Sequence, residues 1–368
     1  MENVIKQSVG IDCSKDELVC CLSMLQQDLT IKNVSQQTFK NDQKGFKSLL
    51  KWSEKIFLQN LEHLFVVEAT GVYHEKLAYF IEENGLQISV VLPSKISHYR
   101  KSMNLKTDND KTAAIGIAEF GLVKKLESWK KPEPILRTFR QLLRERAQLQ
   151  SMLIEVKSMQ HAHSTGVIYS EKTTKRFKKQ CEFYKSQVKD VELEIEELLE
   201  SNTAIKEKVK TICTINGVGQ LTVLTIAGET DGFNLIRNKR QLVSYAGLDV
   251  VDKSSGTSVR GKSRISKRGN KWIRRALYFP ALTAVKHSPA FKSDYARIVK
   301  NTAIKMKGVV AIERKLLILI YTLWKSEETY DPDRYKKIGS AITADPTELD
   351  QVRSIEIDRK STHLNSSH

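Results

Sequence analysis

"QSVGIDCSKDELVCCLSML", from Gln7 to Leu25, is the stretch from which the fold is read. Val9, Ile11 and Cys13 alternate with Ser8, Gly10 and Asp12, the period of two that a strand requires, and a polar break follows before a second strand-like run from Glu17. Two adjacent strands are expected here. Downstream, "KGFKSLLKWSEKIF" has helical spacing, "HLFVVEAT" reads as a strand, "HEKLAYFIEENG" as a helix ending at Gly85, and "QISVVLP" as a strand closed by Pro93. Strands and helices therefore alternate over the first 125 residues, which predicts an α/β layer domain.

From Ile135 to about Val209 the pattern turns helical and heavily charged. Apolar residues recur at three and four spacing, and two long antiparallel helices broken near Ser164 to Ser170 satisfy it, as a spacer or a dimer arm. Beyond it, Gly217 and Gly219 sit in a turn between two apolar helices. A Gly-x-Gly turn can offer backbone N–H groups to a phosphate, and tight helix packing explains it equally well.

The chain has 368 residues, 60 Lys and Arg against 43 Asp and Glu, a net charge of +17 and 40% hydrophobic residues. Such an excess favours a polyanionic partner, nucleic acid ahead of an anionic membrane. The charge is concentrated: Val251 to Val310 holds 15 Lys and Arg against two Asp, +13 of the total. The longest apolar run, Leu316 to Trp324, is well short of the ~20 residues of a spanning helix and reads as buried. No membrane segment or signal peptide is expected, and a cytosolic protein is. Cys13, Cys20, Cys21, Cys181 and Cys213 show no zinc or redox spacing and are expected as reduced, packed thiols. The tail from Asp358 to His368 is aperiodic and closely resembles the translated frame of a sequencing adaptor, so it is set aside from the fold.

Three acids stand at the ends of elements: Asp12 and Glu68 close strands, and Asp110 opens a helix. Converging carboxylates are the oxygen ligands that Mg²⁺ prefers, and two ions about 3.5–4 Å apart can clamp both the attacking and leaving oxygens of a phosphodiester.

"GIDCSK", "VVEATGVYH", "LPSKISHYRKSMNLKTDNDKTAA", "QLVSYAGLDVVDKSSG" and "GKSRISKRGNKWIRRALY" together resemble the insertion sequence 110 family of transposases, in the family's order, over residues 6 to 330. The resemblance implies an α/β RNase H/RuvC-like N-terminal domain with a DEDD acid set (1–128), a long helical coiled-coil insertion (129–208), and a mainly α C-terminal transposase domain carrying a catalytic serine (209–335), before a tail (336–368). It implies a DNA transposase or site-specific recombinase that cuts and rejoins strands through a phosphoserine intermediate with Mg²⁺ assistance. It also implies a bridge or guide RNA as partner, a homo-oligomer, and a nucleoid-associated place in a bacterial or archaeal cytoplasm. It implies no requirement for ATP, since the energy of the broken phosphodiester is kept in the serine ester.

Carried over by motif, the first three acids fall on Asp12, Glu68 and Asp110, as catalytic residues and metal ligands. The fourth falls on Ala113 in "DKTAA", where the family has D-x-x-D-A. Residues i and i+3 share a helix face, so Asp108 is a poor geometric substitute. Ser255, before Gly256, matches the nucleophile, with Ser254 the adjacent alternative. A serine hydroxyl needs activation, no Ser-His-Asp spacing surrounds it, and the resemblance implies a composite of acid set and serine. Arg260, Lys262, Arg264, Lys267, Arg268, Arg274 and Arg275 are expected to position phosphates, and Arg100 and Lys101 to contact nucleic acid. Tyr99 fits either such a contact or core packing, and His74 and His98 read as structural.

Two rival readings remain open on the residues alone. One is a RuvC-like nuclease in which water attacks; the other is an inactive copy, with Ala113 in place of an acid, that only binds RNA and DNA.

Overall fold

Three antiparallel strands open the chain: β1 (Val4–Cys13), β2 (Glu17–Gln26) and β3 (Ile31–Lys40). After α1 (Gln43–Glu54), β4 (Leu64–Glu68) lies parallel to β1, and after α2 (Glu75–Glu83), β5 (Gln87–Val91) lies parallel to β4. The order across the sheet is β3-β2-β1-β4-β5, that of an RNase H-like sheet. The helices α3 (Pro93–Ser102) and α4 (Asp110–Val123) follow. The computed structural model describes residues 4–331 apart from 104–106, 108, 252–253, 256–258, 261–263, 303 and 327. Lys262, Gly256, Asp108 and the tail therefore lie outside the described residues. Two units divide the chain, Met1–Lys131 and Pro132–His368.

Strand parity sorts the first unit into two layers. Val9, Ile11 and Cys13 share a core with Phe46 and Leu49 of α1 and Leu77 and Ile81 of α2. Leu64 and Val66 face the other way, onto Ile96 of α3 and Ile117 and Phe120 of α4. Gly10 allows this second layer to close. A Cβ there would stand 2.1 Å from the Ala118 nitrogen and 2.3 Å from the Ala114 oxygen, so α4 rests directly on the β1 backbone.

In the second unit α5 (Pro134–Thr165) and α6 (Glu171–Glu200) run antiparallel, joined through Arg146 with Glu192 and Cys181 with Gln160. The chain reverses over 166–170, where the sequence places its break. The helical segment expected to continue to about Val209 is interrupted: Asn202 accepts a hydrogen bond from the Ile205 N–H and starts a separate helix, α7 (Thr203–Ile212). Then come α8 (Gln220–Thr230), α9 (Lys239–Tyr245), β6 (Val250–Val251), β7 (Ser254–Ser255), β8 (Val259–Arg260), β9 (Arg264–Ile265), α10 (Lys271–His287), α11 (Pro289–Thr302) and α12 (Lys305–Ser326). One core holds the helices, with Leu136 and Phe139 of α5, Ile195 of α6, Leu224 of α8, Leu277 of α10 and Leu316 and Ile320 of α12. The apolar run Leu316 to Trp324 is thus a buried helix, as its length predicts, and no helix among the described residues is long and apolar enough to cross a membrane. The five cysteines are free, and all but Cys213 are buried.

Candidate catalytic acids and nucleic-acid surface

Asp12 and Glu68 come together through strand register. Ile11 pairs with Val67 in the parallel β1–β4 ladder, so the next step along each strand sets the two acids side by side, on the face that α4 covers. Asp110 is the first residue of α4, fixed by a capping box in which the Asn109 side chain accepts from the Thr112 N–H and the Thr112 hydroxyl accepts from the Asn109 N–H. Burial first, then the charges of Asp110 and Glu68, push the Asp12 carboxyl up from its ordinary 3.8 to about 6, against the pull of Arg100.

Ala113 sits one turn beyond Asp110 on the same helix, 7% exposed. Arg100 is beside this group: its Nη2 donates to the Thr112 hydroxyl at 3.4 Å, and its stem occupies a notch at Gly116, where a Cβ would lie 2.7 Å from Arg100 Cγ. Lys101 is exposed on α3, and Tyr99 packs edge-on against Phe120 at 5.4 Å between ring centroids.

The donor set is oxygen only, which suits a hard divalent cation, and a cation would offset the burial and the like charges that raise Asp12. As the side chains stand, among the described residues no three His, Cys, Asp or Glu side chains form a group that could hold a metal ion.

In the second unit Ser255 lies on β7, its backbone paired with Val259 of β8, and Ser254 pairs with Arg260. A second ladder, Val250 with Ile265 and Val251 with Arg264, brackets the first in sequence. Arg264, Lys267, Arg268 and Arg275 are exposed. Arg274 turns inward, donating to the Ala246 carbonyl at 2.8 Å.

A buried carboxylate that the sequence reading did not single out organises this region. Glu229, 2% exposed, accepts from Arg144 Nε at 2.6 Å and Nη2 at 2.7 Å and from Asn270 Nδ2 at 2.6 Å, with Arg140 at 3.6 Å. Asn270 also caps α10 by accepting from the Trp272 and Ile273 N–H groups. The first turn of the basic helix is thereby tied to α5 and α8. The one signal for Glu229 was a lone acid within the apolar run "VLTIAGET".

Gly217 and Gly219 divide the explanations offered for their turn. Gly217 has φ +92, and a Cβ on it would press 2.8 Å from the Pro280 oxygen, so it serves close packing against α10. Gly219 begins α8 with open space around it.

Comparison with known proteins matches the chain to two transposase models. A transposase model of the DEDD type matches residues 9–168, and a model described as "Transposase IS116/IS110/IS902 family" matches residues 209–296. The chain is 28% identical over 331 residues to the pilin gene-inverting protein of Moraxella lacunata, covering 89% of this chain and 98% of that one. It is 30% identical over 139 residues to the transposase of insertion sequence element IS1111A of Coxiella burnetii, covering 37% of this chain and 38% of that one. Among solved structures, Thermus thermophilus RuvC in complex with a Holliday junction substrate matches at a TM-score of 0.27 and 10% identity, over 33% of this chain and 99% of that one.

Proposed function

We propose, since the chain belongs to the IS110 family of transposases and is a DNA-recombining enzyme, that it breaks and rejoins DNA through a phosphoserine link, with its acid set holding Mg²⁺. The observation that supports the metal part of this reading is the β1–β4 register that brings Asp12 beside Glu68, with the Asp12 carboxyl raised by burial and then by the charges of Asp110 and Glu68.

In the proposed reaction the Ser255 hydroxyl oxygen forms a bond to phosphorus while the bond from phosphorus to one deoxyribose oxygen breaks. The serine proton is lost to a base or solvent, and the departing oxygen takes one up. The reverse step, with a DNA hydroxyl attacking the phosphoserine, rejoins the strand, so the energy of the original phosphodiester is conserved. Mg²⁺, held by Asp12, Glu68 and Asp110, would supply charge stabilisation at the phosphate oxygens. Arg260, Lys262, Arg264, Lys267, Arg268 and Arg275 would hold the phosphate backbone, Arg100 and Lys101 would contact nucleic acid from the first unit, and Arg274 would brace the start of α10. The guide RNA, the homo-oligomer and action at the nucleoid in the cytoplasm belong to the same proposal. The localised excess of 15 Lys and Arg over two Asp supports the nucleic-acid part of it.

The buried Ala113 favours a second reading, a copy that binds nucleic acid without cutting it. Recombination between donor and target plasmids, with the whole element and its flanks, separates the readings. The first expects a protein–DNA adduct that survives denaturation and vanishes in Ser255→Ala. An active Ser255→Ala chain would point to attack by water. A chain silent until Ala113→Asp is introduced would establish the second reading.

A further inference from the structure

A groove of ≈ 310 Å³ runs between α5, α8 and α10. Its size is at the small end of ligand pockets, about 300–1,000 Å³. Its charge and its apolar surface are unusual together. Arg140, Arg144 and Arg275 line it against the single carboxylate of Glu229, so the guanidinium groups outnumber their counter-ion. A fourth arginine there, Arg146, is already matched by Glu192.

Each of the three guanidinium groups has a partner before any ligand arrives. Arg144 is gripped by Glu229 and stacks over the Trp272 ring at 5.6 Å. Arg140 is half-buried 3.6 Å from Glu229, and desolvation, then the charge of Arg144, disfavours its cationic form against the pull of that one shared carboxylate. Arg275 is exposed, with one hydrogen bond to the Ser151 hydroxyl at 3.2 Å. Beside them Phe279 presents its ring to solvent, 72% exposed, near the apolar side chains of Leu221 and Ala276. An anion alone would have no use for the exposed ring, and an apolar peptide would leave the guanidinium groups unmatched.

We infer that this groove binds one unpaired nucleotide of a single strand, with its base stacked on Phe279 and its phosphate against Arg275 and Arg140. A base within a duplex is stacked on its neighbours and cannot meet the ring, whereas an unpaired one can. The inference rests on the nucleic-acid reading above, but not on the serine chemistry.

The test uses the full chain carrying Ser255→Ala, so that binding is read without cleavage, and measures fluorescence anisotropy of labelled oligo(dT), oligo(U) and a duplex of equal length. Phe279→Ala is expected to weaken single-strand binding about 5- to 150-fold, the range for loss of one base–aromatic stack. Duplex binding, governed by phosphate contacts elsewhere, is expected to change by less than about twofold. Arg275→Gln should lower the salt dependence of single-strand binding by about one unit of log–log slope. The strand that loses more, deoxy or ribo, identifies the source of the nucleotide. Unchanged single-strand affinity in both variants overturns the site, as does an equal loss for duplex and single strand in Phe279→Ala. A change of oligomeric state in Phe279→Ala by sedimentation, with binding intact, would overturn it in favour of an interface between copies. Failure of the parent chain to bind any of the three nucleic acids would count against the nucleic-acid reading itself.

Discussion

Gly10 of β1 lies so close beneath Ala118 of α4 that a methyl group on it would stand 2.1 Å from the Ala118 backbone nitrogen. Neither partner can yield, because both are backbone in regular structure. Gly10→Ala is therefore expected to lift α4 from the sheet, destabilise the first unit by about 1–3 kcal/mol or more, and separate Asp110 from Asp12. Chemical denaturation together with a recombination assay checks this. A variant with the parent's midpoint and activity would show that the contact is not what positions Asp110.

Ala113→Asp adds a fourth carboxylate on the same helix face as Asp110. Without metal the added charge should lower the melting temperature, and Mg²⁺ or Mn²⁺ should more than restore it. Divalent-ion affinity is expected to rise roughly 10- to 100-fold, in line with other changes around metal ligands. Equal melting responses to metal in parent and variant would mean that three acids suffice.

Glu229→Ala leaves Arg144 and Arg140 without their carboxylate and removes a partner of the α10 cap. A loss of about 3–5 kcal/mol is expected, as for a broken buried ion pair. Asn270→Ala, which removes the cap itself, should cost about 0.5–2 kcal/mol. Urea titrations of the two variants rank them. A smaller loss for Glu229→Ala than for Asn270→Ala would argue against the carboxylate as the centre of this network.

Pro280 lies within α10 and has no N–H to offer the Ala276 carbonyl one turn back, but the Thr222 hydroxyl reaches that carbonyl at 3.4 Å. Thr222→Val keeps the shape and removes the donor. A loss of about 1–3 kcal/mol is expected for the orphaned carbonyl, measured by thermal unfolding. No loss would place a water there instead.

Glu313 of α12 is buried, and desolvation, only partly opposed by Arg274, raises its carboxyl from 4.5 to about 7. The folded chain thus holds this proton more tightly than the unfolded chain does. The stability it contributes is complete below pH 4.5 and is lost as pH rises through about 7. Glu313→Gln should flatten that fall and exceed the parent at pH 8 by on the order of 1–3 kcal/mol. Melting curves across this range that run parallel for both chains would contradict it.

Much of the first unit is legible in its sequence, because β1, β2, β4 and β5 bury at least one face and carry the pattern that burial imposes. β3 is not, since Phe39 is its only buried residue and an edge strand wetted on both sides has no alternation to read. α3 is similarly silent, burying Ile96 alone. The acids at 12, 68 and 110 could be picked out because they end elements, but their proximity depends on the β1–β4 register and on Gly10, which are tertiary facts. The partners of Glu229 lie 85 and 41 residues away in the chain. No local spacing could have joined them.

The helical pair α5 and α6 has 32 and 30 residues, so each helix is about 45–48 Å long at 1.5 Å per residue. Only its base enters the core, through Leu136, Phe139 and Leu143 on one side and Val191, Ile195 and Leu199 on the other. Towards the reversal Val156 and Cys181 are buried, and Val167 and Ile168 at the turn are almost fully exposed. Such a rod can change length without disturbing what anchors it. Matched insertions or deletions of seven residues in each helix would preserve the seam and move the tip by about 10 Å, so descendants of this chain can vary the span of the arm while the acids and the serine stay where they are.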